Sequence, residues 1–236
     1  MIERLQLSII IPTFNETENV AALINYLQNN TSNHFIEIII SDGQSADNTV
    51  EAATAAGAKV VVSPLKGRGV QMNYGASIAQ ADVLYFVHAD SFPPRDFINK
   101  IVEQIKMGIN IGCFRMKFDI SNWFLNANCW FTRFDVNAFR FGDQSLYVTK
   151  DIFEKAGGFD EQLIMMEDQE IIYRLKRYSN FKVMHGTVIT SARKYSENGI
   201  FYTQGVFFLI YILFKLGLPQ HRLLKLYRRL IKQDKL

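Results

Sequence analysis

The chain has 236 residues, of which 48% are apolar and 21% are charged, an ordinary globular composition that excludes a disordered, collagen-like or disulfide-scaffold protein. Its net charge of +3 is too small to indicate a nucleic-acid-binding protein. The two cysteines, Cys113 and Cys129, form no CxxC pair, so a zinc knuckle is disfavoured and free thiols in a reducing compartment are expected.

The first half of the chain alternates between strand-length apolar runs and helical spacing. Strands are predicted at 5–11, 36–40, 59–63 and 83–87, with helices between them that include 47–56 and 69–79. Continuous apolar strands that alternate with helices are typical of a parallel sheet covered on both faces. The pattern therefore predicts an α/β fold with a mostly parallel, Rossmann-like sheet flanked by helices.

The second half of the chain has a less regular pattern. It predicts helices at 94–107 and 167–178 and strands at 112–118 and 145–148. The stretch 122–141 between the two strands is crowded with aromatic residues, including Trp130. Two interpretations stay open for this stretch, because aromatic faces bind sugars and lipids but also fill protein cores.

The C-terminal part combines an apolar run with an amphipathic, basic segment. The run 205–214 is too short to span a bilayer, which needs about 20 residues, so it predicts a buried or interfacial helix. Residues 215–236 carry a local charge of +6, which leaves −3 on the rest of the chain. A helical apolar stripe beside these charges fits either a helix on an anionic membrane surface or a terminal helix docked on the domain. The stripe consists of Leu223, Leu226, Tyr227, Leu230 and Ile231.

The N-terminal segment carries no sign of a secretion signal. The apolar residues 7–11 are too few for a signal peptide, and Pro12 follows them directly. We therefore expect a mature N-terminus that faces the cytosol.

Polar residues follow three of the predicted strands, where ligands bind in open α/β sheets. The first strand is followed by Pro12, Thr13, Asn15 and Glu16, the second by Asp42 and Ser45, and the fourth by His88, Ala89 and Asp90. A carboxylate at a strand end, such as that of Asp90, can hold a hard divalent cation against a diphosphate. The alternative for Asp90 is a turn-capping role before Ser91, and for Asp42 it is an Asx turn.

Two further segments carry candidate functional groups. Gly67 and Arg68 precede a predicted helix that contains Gln71 and Asn73, and an arginine at a helix N-terminus is suited to a diphosphate. Glu167 and Asp168 begin a later helix after an apolar lead-in, where burial would make a carboxylate a better base near neutral pH. The alternative for this acidic pair is compensation of the helix dipole.

Taken together, these segments resemble family 2 glycosyltransferases of the GT-A fold. The resemblance covers about residues 5–200 and is carried, in order, by IIIPTFNE, SDGQSADNT, HAD and MED. The segments GRGVQMN, GDQSLYV and TSARKY further resemble a bacterial subgroup described as radical-SAM/selenodomain-associated transferases. Gly43 stands where many family members have a second Asp, and His88 stands where they have the first Asp of a DxD motif.

The resemblance implies a set of site residues. Asp42 takes the place of the base-contacting Asp, Asp90 matches the metal-binding Asp of DxD with His88 beside it, and Asp168 matches the catalytic base, with Glu167 preceding it. Arg193 is suited to the leaving diphosphate, and Gly142, Asp143, Gln144 and Trp130 are assigned to the acceptor site. The implied nucleotide-sugar site comprises Pro12, Thr13, Asn15, Glu16, Asp42, Gly43, Ser45, Gly67, Arg68, Gln71, Asn73, His88, Ala89, Asp90 and Arg193.

The implied function is metal-dependent, inverting transfer of a sugar from a nucleotide-diphosphate sugar to an acceptor hydroxyl, with Mn²⁺ or Mg²⁺ as cofactor. The acceptor is unknown, and a lipid-linked molecule stays open. The expected organisation is a GT-A domain over 1–198, with a nucleotide-binding half to about 110 and an acceptor half after it, followed by C-terminal helices over 199–236. The expected location is the cytoplasm, with peripheral attachment to the inner face of the cell membrane left open.

Two other functions are also considered. A nucleotidyltransferase has a similar sheet, but it places its glycine-rich loop directly after the first strand, whereas Gly67 and Gly69 follow the third. A binding module without turnover is the other alternative, because His88 replaces an expected Asp. A dinucleotide-dependent enzyme is disfavoured, since no GxGxxG follows the first strand.

Overall fold

A computed structural model of the chain describes residues 6–31, 35–140 and 142–232. The N-terminal residues 1–5, Phe141 of the aromatic stretch and the tail residues Asp234 and Lys235 lie outside the described residues. The strands are β1 (Gln6–Thr13), β2 (Phe35–Asp42), β3 (Lys59–Val62), β4 (Val83–Phe86), β5 (Ser91–Phe92), β6 (Ile111–Phe118), β7 (Leu146–Thr149) and β8 (Phe181–Thr190). The helices are α1 (Thr17–Asn29), α2 (Thr49–Ala55), α3 (Arg68–Ile78), α4 (Phe97–Lys106), α5 (Trp123–Phe131), α6 (Lys150–Lys155), α7 (Glu167–Leu175), α8 (Arg193–Asn198), α9 (Ile200–Lys215) and α10 (Gln220–Leu230).

The described strands form one sheet in the order β3-β2-β1-β4-β7-β6-β8-β5. β3, β2, β1 and β4 run parallel, β7 is antiparallel to both β4 and β6, and β6 is parallel to β8. This confirms the predicted α/β fold with a mostly parallel sheet. Because β1, β2 and β4 are parallel, the polar residues after them meet at one edge of the sheet.

The core lies on both faces of the sheet, as the continuous apolar strands predict. In β1, Ile9 and Ile11 pack with α1 and α4, whereas Ile10 packs on the opposite face with α3 and α7. β2 and β4 alternate in the same way, since successive side chains of a strand point to opposite faces. These buried strands fix the position of the loops that follow them.

The sequence pattern did not predict α5 or β8. Gly186 interrupts the apolar alternation of β8 at φ +119°, and the register between β6 and β8 shifts at Phe114 and Arg115. A bulge of this kind breaks the period of two on which strand prediction depends. The aromatic stretch contains α5, which buries Leu125 but leaves Trp123, Trp130 and Phe131 exposed. The core-packing interpretation is therefore wrong for these three residues.

The C-terminal helices pack on the domain and on each other. Leu223 and Tyr227 of α10, with Ile231 after it, are buried against Val206 and Ile210 of α9. The docked interpretation of α10 is therefore confirmed for these residues, whereas Leu226 and Leu230 of the stripe stay partly exposed. In the described parts of the chain, no helix is both long enough and apolar enough to cross a bilayer.

Candidate active site

A cavity of about 630 Å³ opens at the sheet edge where β1 and β4 end. Its walls come from the loops after β1, β2 and β4, from the start of α3, and from the C-terminal helices α8, α9 and α10. Eleven of the predicted nucleotide-sugar residues line it: Pro12, Thr13, Glu16, Gly43, Gly67, Arg68, Gln71, His88, Ala89, Asp90 and Arg193. The structure thus brings together residues from five separate segments of the chain.

Asp42 is positioned to hold the loops together rather than to face the cavity. Its buried carboxylate accepts hydrogen bonds from Thr13 Oγ1 at 3.0 Å, Ser45 N at 2.8 Å and Ser45 Oγ at 2.6 Å. Asn15, at φ +54°, donates its backbone N–H to Ser45 Oγ and accepts from Ala46 N. These bonds tie the loops after β1 and β2 together through Asp42, Ser45 and Asn15, and the base contact at Asp42 stays a prediction.

Asn73 also has a structural role in place of the predicted ligand contact. Its amide donates to Phe159 O and to Glu161 Oε1, each at 2.9 Å, and accepts from Phe159 N at 2.8 Å. These bonds tie α3 to the loop before α7, and Asn73 is not among the residues that line the cavity. A polar residue on an inner helix face is used here to anchor a loop.

Gln71 explains why position 43 is a glycine. The buried Gln71 amide donates to Thr13 O at 2.6 Å and to Ser41 O at 2.9 Å, which ties α3 to the ends of β1 and β2. A Cβ on Gly43 would lie 2.9 Å from Gln71 Cδ. A side chain at position 43 would therefore require Gln71 to move.

Three side chains converge where β4 ends. His88 Nδ1 lies 2.8 Å from Asp143 Oδ1, and ligand atoms of His88, Asp90 and Asp143 lie within 4.8 Å of one another. Asp143 comes from a short 3-10 turn, Gly142–Gln144, that packs against β6 and β8. Asp143 lines the cavity with its carboxylate beside His88, and its assignment to the acceptor site stays a prediction.

The protonation of the cluster is set by burial and by mutual charge. Burial raises the pKa of Asp90, and the charge of Asp143 raises it further. Burial also opposes ionisation of Asp143, but its hydrogen bond with His88 and the charge of His88 lower the pKa of Asp143 overall. Burial disfavours protonated His88, yet the bond to Asp143 outweighs this and raises the pKa of His88. The contact between His88 and Asp143 therefore favours the charged form of each partner.

The acidic pair of α7 meets Arg68 beside this cluster. Arg68 Nη1 lies 2.9 Å from Glu167 Oε1 and 3.7 Å from Asp168 Oδ2. Glu167 is only 1% exposed, and its carboxylate is paired with Arg68. Its predicted catalytic role stays a prediction. Asp168 is 19% exposed and its Oδ2 lies 3.9 Å from His88 Nε2. Asp90 and Asp168 thus belong to one charged group with His88, although Asp168 lines a small adjoining void of about 10 Å³ rather than the main cavity.

Lys194 is a cavity residue that the sequence reasoning missed. It follows Arg193 at the start of α8, and both side chains line the cavity. Burial and the positive charge of Arg68 lower the pKa of Lys194, whereas Asp143 and Asp90 raise it. The adjacent basic residues of TSARKY were the available signal, but the choice between Arg193 and Lys194 needed the fold.

The structure places two other residues that were assigned to the acceptor site, Gln144 and Trp130, away from the cavity. Gln144 is fully buried, and its amide donates to Phe114 O and Thr132 O, each at 3.2 Å, so it is corrected to a structural residue. Trp130 lies on the outer face of α5, where its ring packs on Phe134 and under the guanidinium of Arg133. It is not among the residues that line the cavity, which corrects its assignment as well.

With this geometry described, comparison with known proteins shows the family. The family model "Glycosyl transferase family 2" matches residues 8–159, which include β1–β7 and His88, Asp90 and Asp143. The chain belongs to glycosyl transferase family 2. The match ends before α7, so Asp168, Arg193 and Lys194 lie in the part that the family model does not cover. The narrower resemblance to a subgroup stays a prediction.

Similar proteins include glycosyltransferases that share this fold. The chain is 33% identical over 112 residues to a dolichol-phosphate mannosyltransferase of Pyrococcus furiosus, which is 45% of this chain and 32% of that protein. Its fold matches a Pyrobaculum calidifontis mannosyltransferase in complex with GDP-Man and Mn²⁺, with TM-score 0.66, 14% identity and coverage of 79% of this chain and 57% of that one. It also matches glucosyl-3-phosphoglycerate synthase of Mycobacterium tuberculosis in complex with Mn²⁺, UDP and glucosyl-3-phosphoglycerate, with TM-score 0.63, 17% identity and coverage of 92% and 81%. The chain spans about a third of the length of the Pyrococcus relative that it matches.

Proposed function

We propose that the chain transfers a sugar from a nucleotide-diphosphate sugar to an acceptor hydroxyl, with inversion at the anomeric carbon and with a divalent metal ion. The observation that carries the proposal is the cluster of His88, Asp90 and Asp143, which lies at the sheet edge inside a cavity of about 630 Å³. The three named relatives are a mannosyltransferase with GDP-Man and Mn²⁺, a synthase with UDP and Mn²⁺, and a dolichol-phosphate mannosyltransferase.

The donor set of the cluster fits a divalent metal ion. Two carboxylates supply the hard oxygen ligands that Mg²⁺ and Mn²⁺ prefer, and few protein ligands are needed when phosphate oxygens complete the shell. The imidazole of His88 suits Mn²⁺ better than Mg²⁺, because Mg²⁺ takes oxygen ligands. A metal ion held by Asp90, Asp143 and His88 would neutralise the charge that develops on a leaving nucleoside diphosphate.

The side chains of this protein supply the remaining parts of the reaction. Arg68, Arg193 and Lys194 place positive charge around the cavity where a diphosphate would gain negative charge. Thr13, Glu16 and Gly43 form the wall at the ends of β1 and β2, where a nucleoside would lie. Asp168 is the candidate base that removes the proton from the acceptor hydroxyl, since it is partly exposed and is held by Arg68 and His88.

The residues that line the cavity also indicate which kind of acceptor would bind. Met116, Phe118, Leu163, Ile164, Phe207 and Leu224 give the cavity an apolar part in addition to its charged part. An acceptor with an apolar portion, such as a lipid-linked alcohol or phosphate, would bury that portion against these side chains. Such an acceptor would be reached by a peripheral enzyme at the inner face of the cell membrane, with residues 1–198 as the catalytic domain and 199–236 as the attached helices.

The proposal is tested by measuring nucleoside diphosphate release from UDP- and GDP-sugars with Mn²⁺, Mg²⁺ or EDTA. Asp168→Asn should lower the rate by about 10²–10⁴-fold and leave UDP or GDP affinity unchanged, because only proton transfer is lost. Asp143→Asn should instead weaken the Mn²⁺-dependent binding of the nucleotide, measured by calorimetry. Asp151→Asn, an exposed Asp→Asn change on α6, is the matched control and should alter neither quantity.

Several outcomes would contradict the proposal. Full activity of Asp168→Asn would remove the base assignment, and an anomeric proton signal showing retained configuration would remove inversion. Pyrophosphate release from a nucleoside triphosphate and a sugar phosphate would indicate a nucleotidyltransferase. Binding of nucleotide with no hydrolysis of any donor would indicate a module without turnover.

A further inference from the structure

The outer face of α9 is an exposed apolar stripe. Phe201, Phe208 and Leu216 are 62%, 60% and 77% exposed, and Tyr202, Leu209 and Ile212 fill the positions between them. These positions recur with helical spacing on one side of a 16-residue helix, whereas Val206 and Ile210 on the other side are buried. Contiguous exposed apolar surface of this kind marks an interaction site rather than ordinary surface.

Trp123 extends this stripe onto a second helix. It is 72% exposed at the start of α5, and its ring centroid lies 6.3 Å from that of Phe201, while Phe124 lies 4.8 Å from the same ring. Trp130 follows seven residues later on the same helix and is also exposed. Tryptophan is enriched where a protein surface meets both hydrocarbon and water.

The segment that contains α9 and α10 carries charge of one sign. Residues 199–232 contain Lys215, Arg222, Lys225, Arg228, Arg229 and Lys232 but no Asp or Glu. Because α10 buries Leu223 and Tyr227 against α9, the side chains of Arg222, Lys225 and Arg229 remain exposed. Two copies of such a surface would repel each other, whereas an anionic lipid surface would attract it.

We propose that the α9 stripe, with Trp123, docks this protein onto the surface of an anionic phospholipid bilayer, with α9 lying in the plane of the interface. The apolar side chains enter the headgroup and acyl boundary, and the basic side chains of α10 contact lipid phosphates. The contact surface is therefore α9 and the start of α5, not the apolar stripe of α10. No candidate catalytic residue takes part, so this proposal can fail while the proposed transferase activity stands.

The first test is flotation of the full chain with vesicles, without any nucleotide sugar. The protein should float with vesicles of phosphatidylcholine and phosphatidylglycerol and much less with phosphatidylcholine alone. Phe208→Ser with Leu216→Ser should reduce binding about tenfold or more, because both side chains lose their burial in lipid. Met107→Ser, another exposed apolar residue at the end of α4, is the matched control and should bind like the unchanged protein.

The second test examines charge and location. Arg222→Gln, Lys225→Gln and Arg229→Gln combined should weaken binding to the anionic vesicles by more than tenfold and reduce its salt dependence. In a Trp130→Phe background, which leaves Trp123 as the single tryptophan, the fluorescence should shift to the blue on vesicle addition and be quenched by brominated lipid. This readout does not depend on whether the serine variants fold.

Three results would overturn the proposal. The first is failure of the unchanged protein to float with anionic vesicles. The second is flotation of the combined Phe208→Ser and Leu216→Ser variant equal to that of the unchanged protein. The third is no change in the fluorescence of Trp123 when vesicles are added. Light scattering that showed a stable dimer lost in the Phe208→Ser and Leu216→Ser variant would assign the surface to a second copy of the chain instead.

Discussion

Two regions of the molecule are stabilised in different ways. The sheet-edge site, formed by the ends of β1, β2 and β4 with the starts of α3 and α7, is held by polar side chains with specific partners, such as Asp42, Gln71 and Arg68. The C-terminal helix pair, α9 and α10, is held largely by apolar contacts around Ile210 and Leu223. Hydrogen bonds fix distance and direction, whereas apolar burial fixes mainly area and volume.

This difference teaches where exact chemistry matters. In the sheet-edge site, even a conservative change should be costly, because a buried polar partner is left without its bond. In the C-terminal helix pair, a change that keeps volume should be tolerated. The three predictions below test this contrast, from the largest expected change in the free energy of unfolding to the smallest.

The largest effect is expected in the C-terminal helix pair. Leu223→Ala should lower the free energy of unfolding by about 3 kcal/mol, since a fully buried side chain is lost and a cavity remains. Leu223→Met keeps the volume and should cost less than about 1.5 kcal/mol. Urea denaturation measures both values. A methionine variant as unstable as the alanine variant would show that this region also depends on exact shape.

The next effect is expected at Arg68. Arg68→Ala should cost about 2 kcal/mol, because it leaves the buried carboxylate of Glu167 without its ion pair, while the 38% exposure of Arg68 lets water compensate in part. Arg68→Lys should restore little, since an ammonium does not reproduce the guanidinium geometry. If the lysine variant were as stable as the unchanged protein, charge alone would suffice at this position.

The Arg68→Ala variant should also change the dependence of stability on pH. Burial raises the pKa of Glu167, and the charge of Arg68 opposes that rise, so the variant raises the pKa further. The folded state then binds the proton more tightly than the unfolded state, whose carboxyl has a pKa of about 4.3. The stability loss should therefore be smallest below that pH and grow as the pH rises through the folded pKa. Adding Glu167→Gln should reduce this dependence to the part that comes from His88 and Asp143, which Arg68 also affects, measured by thermal unfolding from pH 4 to 8.

The smallest effect is expected at Gly43. Gly43→Ala should cost about 1 kcal/mol, since the new Cβ would lie 2.9 Å from Gln71 Cδ and the two hydrogen bonds of Gln71 resist its movement. In a Gln71→Ala background the same change should cost almost nothing. A double-mutant cycle measures this coupling. Additive costs would show that the contact between Gly43 and Gln71 does not restrict position 43.

The sequence predicted the frame of the fold well because its strands are strongly patterned. β1, β2 and β4 are continuous apolar runs, and the polar residues after them do meet at one sheet edge. The bulged β8 was missed, because Gly186 and the register shift beside it break the alternation. The aromatic stretch was ambiguous, since the same residues can face the core or the solvent.

The candidate site was only partly predictable. His88 and Asp90 are neighbours in sequence, but Asp143 reaches them from 55 residues beyond His88, and only the packing of its turn against β6 and β8 brings it there. Asp42, Asn73 and Gln144 have residue types that suit ligand binding, yet the side chain of each is hydrogen-bonded to other residues of the protein. Residue type cannot distinguish a side chain that contacts a ligand from one that makes hydrogen bonds within the protein, because both use the same polar atoms.

The family match covers one side of the cavity and ends before the other. The match to the family ends at residue 159, whereas Phe207, Leu224 and Arg228 line the wall opposite the sheet edge. The sheet-edge side of the cavity therefore lies mostly within the family match, whereas helices outside the match build the facing wall. Exchanging α9 and α10 between relatives would change the facing wall of the cavity and leave the residues at the sheet edge unchanged. Such exchanges would test whether the facing wall determines acceptor preference.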